Sequence, residues 1–600
     1  MNQLSKIPDS VNENEDQRNY GFIVRKGKYF TIEIRKDVAV TKELSNFVMQ
    51  IEFHLVNGTN NSKRIIKIQR NTGEISMIEI FSSDMKPDSF ETILKSKRCT
   101  FLGTSYQLKI IFARLMDTEK EALTISTLGW NQEHAAYVFA DAVFCQNKIL
   151  RIDEMGIVET NDKRFYLPAF GLANDSNEDF ETEKLYSFQP GNIGFTEWAA
   201  LYYQSFGSNG AIGILFMILS VFRDIVFNHV KFFPFLFLFG AYGTGKTSFV
   251  KRLLTLFGSN TIGTPLNNAT SIALSRLVST RNNSLYYFEE YTNETDSKVQ
   301  DFILTAYDGA GRTTGVKSND NKTKSLPIRS GLIFDGNFLP TQKTAILSRM
   351  VLLNFEESNF TEEQKIAYNQ LETAAENGLG NVLIEILSHR DLFEQDFKGA
   401  FSENLSHLVT SNKFNFPERT MKHIALLMTP VKILWNELVF PFEFKEVLLS
   451  IAENTENQSD LLKKSGAISI FWEAFSNSLK KGLITRFDGY NSKTAHFNIK
   501  EHDTNEGIIQ IKLNYLFSFY VRYCRENDMP FLDQNSLRMI MTAKSNKEFL
   551  PSSQKGRGAA YTDKYFGTCY QFSYQKTGDS IYLSEIELIG YAIITRDFEL

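Results

Sequence analysis

One octapeptide, Gly240-Ala241-Tyr242-Gly243-Thr244-Gly245-Lys246-Thr247, constrains this chain most, because its pattern GxxxxGK[ST] demands strand, tight loop and helix in that order. The preceding run Phe235-Leu236-Phe237-Leu238-Phe239 has the length and aromatic content of a buried parallel strand. The following Ser248-Phe249-Val250-Lys251-Arg252-Leu253-Leu254 has helical spacing. By chance the bare pattern occurs in roughly 2% of chains this long, so the flanking context decides in its favour. Glycines let successive backbone N–H groups curl around an anion, and the helix N-terminus adds partial positive charge. Gly240, Gly243, Thr244, Gly245, Lys246, Thr247 and Ser248 are therefore the expected nucleotide-binding residues, with ATP and Mg²⁺ as ligands. Lys246 would reach the β- and γ-phosphates, and the Thr247 hydroxyl would ligate the metal.

At 600 residues there is room for about three or four domains, each with its own core. A content of 42% apolar and 22% charged residues is that of a soluble globular protein. The net charge of -5 argues against wrapping long duplex, or lying on an anionic membrane, by bulk charge; basic loops inside a ring remain compatible with it. The four cysteines (Cys99, Cys145, Cys524 and Cys569) form no CxxC, and the eight histidines show no metal spacing, which points to a reducing cytoplasm and away from zinc or disulfides. No secretory signal is visible in the polar first 17 residues. The apolar run Ala211–Phe222 stops at Arg223-Asp224, too short for a bilayer, and reads as a buried helix. No membrane partner is expected.

Residues 1–18 read as a disordered tail. From 19 to 185 short alternating runs such as Tyr29–Ile34 and Phe47–Phe53, the latter followed by a turn at Asn57-Gly58, predict a β-rich N-terminal domain. The acidic stretch Asn174 to Glu183 reads as a linker. Helical spacing from Trp198 to Val230 leads into the nucleotide-binding core, placed at 186–360. A helical lid is expected over 361–440, opened by a capping-type Thr361-Glu362-Glu363, and a C-terminal domain over 441–600. There, helices over Leu513–Arg525 and Gln534–Ala543, the second capped by Asp533, precede Cys569–Tyr574 and Ser580–Leu583 around the turn Lys576–Asp579. Helix, turn, helix, hairpin is the order of a winged helix, expected at about 505–600; a generic packing domain is the alternative.

Leu285-Tyr286-Tyr287-Phe288-Glu289-Glu290 is an apolar strand ending in paired carboxylates, the Walker B position. Glu289 would hold the Mg²⁺ shell and Glu290 would orient the attacking water. A second such strand, Gly331–Asn337, ends in Asn337, which fits a sensor of the γ-phosphate. A third, Met350–Phe355, follows Ser348-Arg349, and Arg349 suits a finger presented to a neighbouring subunit's ATP.

GAYGTGKT, LYYFEE, GLIFDGN and ILSRMVLL together resemble the AAA+ ATPases of the presensor-1 hairpin group, and Ser126–Trp130 is similar to a domain found beside such cores in mobile-element proteins. The layout most resembles the self-loading, MCM-like replicative helicases of staphylococcal cassette chromosomes and pathogenicity islands. One departure is Glu289, where the first Walker B acid is usually Asp. The resemblance implies an α/β AAA+ P-loop core and a homo-hexamer that hydrolyses ATP at its interfaces and moves 3′ to 5′ on single-stranded DNA. Duplex origin DNA is a further partner for the C-terminal domain. It also implies a channel hairpin formed by Gly311–Lys317 and Thr323–Leu326, whose Lys317, Lys322 and Lys324 would follow phosphates. Arg419 resembles a second sensor arginine. An AAA+ remodeller of protein partners and a nucleotide-binding switch are the competing classes.

Overall fold

The computed structural model of the chain describes residues 5–58, 61–174, 178–258, 263–292, 295–311, 313–315, 323–337, 340, 344–356, 360–411, 416–465, 467–501, 506–527, 529, 531–542, 548–551, 560–577, 580–583 and 586–588. They fall into two compact units. The first comprises Met1–Glu290, Asp296–Asp335 and Phe355–Leu448, and the second Tyr291–Thr295, Gly336–Asn354 and Leu449–Leu600.

The first unit begins with order where a tail was expected. Asn12 caps the helix Glu13–Tyr20 by accepting the Glu15 N–H, and three acids in the first turn complement the helix dipole. Ile7 N–H donates to Gln69 Oε1 at 2.7 Å, so the segment before the helix is pinned as well. The strand Phe47–Val56 alternates as its sequence predicts and pairs with Lys63–Arg70 in a six-stranded sheet. Helices Pro87–Ser96 and Ser105–Met116 close over that sheet, packing Phe90 and Leu108 against Phe47, Ile51 and Ile68. The acidic stretch is no linker at its start: Asn174 is buried, and its Nδ2 donates to Glu79 Oε2 at 2.9 Å and to the Tyr166 hydroxyl at 3.0 Å.

A separate domain is expected over 19–185; in the structure this region lies in the same compact unit as the strand Phe235–Gly240 and its glycine loop. Strand Leu128–Asn131 pairs in parallel with Arg281–Asn282, four residues before the Walker B strand, and thereby closes a five-stranded sheet. Gly129 permits the contact: its φ is +81°, and a Cβ there would lie 1.8 Å from Asn282 O. Tyr137 and Tyr186 donate to the carbonyls of Asn283 and Leu285, and the Arg390 guanidinium stacks 3.7 Å from the centre of Trp130 while pairing with Asp224. Gly129→Ala should cost about 2 kcal/mol or more through combined strain and overlap, read as a lower urea midpoint for the tryptophan signal. An unchanged midpoint would show that the two elements are not locked together.

In the core, the strands Thr264–Pro265, Leu285–Glu289, Gly331–Gly336 and Phe235–Gly240 lie in that spatial order. The Gly331–Gly336 strand thus sits between the two Walker strands. Beneath runs the helix Phe195–Val221, longer than the apolar run predicted and broken by a non-helical Gly207. It is long and apolar enough to cross a membrane, but 72% of its apolar window is buried, and Tyr202 donates to Phe249 O on the helix after the phosphate loop. Helices Glu362–Glu376, Gly380–Ser388, Arg390–Thr410 and Glu418–Leu434 follow, and Thr361 opens the first with a complete capping box to Gln364.

The second unit contains the expected helices, as Leu513–Glu526 and Gln534–Met541, with Asp533 Oδ1 accepting the N–H groups of Asn535 and Ser536. Strand Gly567–Thr577 pairs with Ser580–Leu583 as predicted; Gly578 and Asp579 of the turn lie outside the described residues. The sheet is larger than a simple wing. Phe497–Glu501 and Glu506–Ile511 add to it from upstream, across the boundary expected at 505, and among the described residues it has seven antiparallel strands. Its core gathers Trp472, Phe475, Phe497, Tyr520, Leu537 and Phe572.

Candidate nucleotide site

The buried strand Phe235–Gly240 delivers the chain into the loop, and a Cβ on Gly240 would lie 2.1 Å from Phe355 O. Gly243 and Gly245 have φ values of +82° and +93° with open space around them, so backbone conformation, not crowding, calls for glycine. The helix Lys246–Leu254 starts at once, and no side chain caps it, as suits a terminus built to receive an anion. Lys246 is only 7% exposed, and its Nζ donates to Gly240 O and Ala241 O, both at 2.7 Å. Thr244 Oγ1 donates to Ala241 O at 2.9 Å. Burial lowers the Lys246 pKa, while the Asp335 carboxylate opposes that shift.

Phe288 stands opposite Phe334 in the parallel pairing of the two neighbouring strands, which sets Glu289 level with Asp335. Glu289 is half-buried and accepts the Gly263 N–H at 3.3 Å; burial and then Asp335 raise its pKa. Glu290 is exposed and holds φ +60°, a conformation unusual for a residue of its kind. Its N–H donates to Asp335 Oδ1 at 2.9 Å, and its carbonyl accepts Asn267 Nδ2 at 3.3 Å. Asp335 is itself buried: burial raises its pKa, against the Glu290 N–H, Tyr287 and Lys246. The Tyr287 hydroxyl lies beside Thr247 and Asp335, and burial pushes its pKa up.

The structure therefore brings Lys246, Thr247, Glu289 and Glu290 to one end of the sheet and adds Asp335 and Tyr287, which the sequence reading passed over. A charged residue at the end of an otherwise apolar buried strand was the available signal. A glycine cradle, a buried ammonium and neighbouring carboxylates fit a nucleoside triphosphate with a divalent ion. Among the described residues no three His, Cys, Asp or Glu side chains cluster to hold a metal, so Mg²⁺ here would need phosphate oxygens beside Thr247 and Glu289.

Other predicted residues lie as follows. Asn337 is exposed directly after the Gly331–Gly336 strand. Arg349 is half-buried, and its Nη1 donates to Ala345 O at 2.9 Å in the helix Thr344–Leu347. Arg419 sits 5.6 Å from the centre of the Tyr307 ring. Tyr307 O accepts the N–H of Phe233, two residues before the strand whose far end carries the phosphate loop. Within one chain Arg419 is thus at the opposite end of the strand from the phosphates, because the start of its helix packs on Tyr307, whose hydroxyl pairs with His423 of that same helix. The hairpin strands form, with Thr314 opposite Lys324. Lys317, Lys322 and the Lys324 side chain lie outside the described residues.

No family model matches the chain, and no curated protein matches it. A solved structure described as SCCmec type IV Cch, an active helicase, is 14% identical to it over 92% of this chain and 97% of the other, with a TM-score of 0.55. The two share a fold of mixed α/β architecture. The apo C-terminal region of NrS-1 aligns over 87% of this chain and 96% of the other at 12% identity, with a TM-score of 0.28. The JCV helicase aligns over 39% and 65% at 13% identity, with a TM-score of 0.21.

Proposed function

We propose that this chain is an ATP-driven DNA helicase of the MCM-like, self-loading type, working as a homo-hexamer in the replication of a mobile element. The observation that carries the reading is the convergence of the buried Lys246, Thr247 and the Glu289–Glu290 pair at one sheet end, on a fold shared with a helicase. Lys246 would release its loop carbonyls to bind the β- and γ-phosphates, and Glu290 would orient and polarise the attacking water. Mg²⁺, held by Thr247 and Glu289, would neutralise charge on the phosphate oxygens. Asn337 would sense the γ-phosphate, and Arg349 would act on the neighbouring subunit's nucleotide. Duplex origin DNA is assigned to the winged-helix-like elements of the second unit. The direct test is strand displacement on forked DNA by the purified chain, with and without ATP. Displacement that does not depend on ATP, or none at all, counts against a helicase.

DNA tracking is assigned to Lys317, Lys322 and Lys324 of the hairpin. Replacing all three with Ala should preserve basal ATPase, since none belongs to the phosphate site, while unwinding falls sharply. The log–log salt slope of single-strand binding should flatten by up to about 2, three phosphate contacts at roughly 0.7 each. An unchanged slope would favour a remodeller of protein partners.

A further inference from the structure

Strand Leu285–Glu289 ends where Glu290 enters the left-handed region at φ +60°. For a residue with a Cβ this conformation is unfavourable; glycine, asparagine and aspartate tolerate it best, and glutamate is none of these. A residue stays there only where its surroundings over-determine it. Here both sides of the residue are tethered: Asp335 Oδ1 accepts its N–H at 2.9 Å, and Asn267 Nδ2 donates to its carbonyl at 3.3 Å. The first tether is the shorter and is charge-assisted.

Asp335 is an expensive way to make one hydrogen bond. It is 8% exposed, and a buried carboxylate must be offset by a cation or by several donors. The Glu290 N–H supplies one donor, and the nearby Lys246 ammonium adds its positive charge. One side chain therefore touches the electrostatics of the phosphate loop and the backbone of the water-orienting residue together, from the strand that lies between the two Walker strands.

We infer that Asp335 is a positioning residue for hydrolysis: its carboxylate fixes the left-handed main chain of Glu290 and thereby the placement of the Glu290 carboxylate. The inference rests on the ATPase reading above. Two other roles are separable from it. A metal ligand would need its negative charge, and a purely structural residue would act independently of Glu290.

The test is a double-mutant cycle on the full-length chain, measured as single-turnover ATP hydrolysis with excess enzyme. Asp335→Ala should lower the rate by about 10²-fold, the low end of what an acid–base group contributes, while nucleotide affinity changes less than about three-fold. Asp335→Asn should stay within about five-fold of wild type, because its amide oxygen can still accept the Glu290 N–H. Added to Glu290→Gln, Asp335→Ala should cost less than about two-fold further, the non-additivity of residues acting as one unit. Should Asp335→Ala fail to fold, Asp335→Ser, too short to reach the N–H, is read in the same way. Full additivity with Glu290→Gln, or an Asn variant as damaged as the Ala variant, overturns the positioning role and leaves the ATPase reading standing. A wild-type chain that hydrolyses no nucleoside triphosphate overturns both.

Discussion

Lys246→Ala is expected to lower ATP hydrolysis by about 10³-fold or more, the scale on which transition-state charge stabilisation is lost. The residue is almost fully buried, and its ammonium donates to Gly240 O and Ala241 O of the loop itself. Such an ammonium is pre-desolvated: exchanging two carbonyls for phosphate oxygens replaces neutral acceptors by charged ones, and charge-assisted bonds are roughly twice as strong. The substitution also removes the donor to both carbonyls. If water replaces it, the fold loses about 1–2 kcal/mol, small beside the buried aromatic core around Phe235, Phe249 and Phe334. Phosphate release and binding of a fluorescent ATP analogue should therefore fall while the circular dichroism spectrum stays that of wild type. Hydrolysis near the wild-type rate would remove the nucleotide assignment altogether.

What could be read from sequence was local. The phosphate loop, its strand and its helix span Phe235 to Leu254, so periodicity and glycine placement sufficed. The Glu289–Glu290 pair was equally plain as the end of an apolar run. Asp335 was missed because its importance comes from strand order, and nothing in GLIFDGN states that this strand lies between the Walker strands. Likewise, a two-residue pairing at Arg281–Asn282 and one glycine at 129 join regions that composition separates. Arg419 shows a different limit. Helical spacing identified its helix, but which end of the core that helix approaches depends on Tyr307 and His423, more than a hundred residues apart in the chain. The first 18 residues looked disordered because they are polar, and a single Asn12 cap with an acidic first turn was enough to order Glu13–Tyr20.

Arg349→Ala should cost about 10³-fold or more in the assembled ring while each subunit keeps its nucleotide, since an arginine finger acts on the transition state and not on ground-state binding. In its own chain Arg349 Nη1 donates to the Ala345 carbonyl, and the buried strand Met350–Phe355 follows immediately. That mounting suits a charge offered across an interface, where only a fixed donor stabilises the loose phosphoryl transition state. The trans assignment has a numerical signature. In a head-to-tail ring each interface takes its loop from one subunit and its finger from the next. Mixing Arg349→Ala with Lys246→Ala in equal amounts, with exchange confirmed, leaves about a quarter of interfaces with both parts intact if assembly is random. Hydrolysis should recover towards that fraction of the wild-type rate, although each variant alone is inactive. A finger acting within its own chain predicts no recovery, because every subunit in the mixture then lacks either its lysine or its arginine.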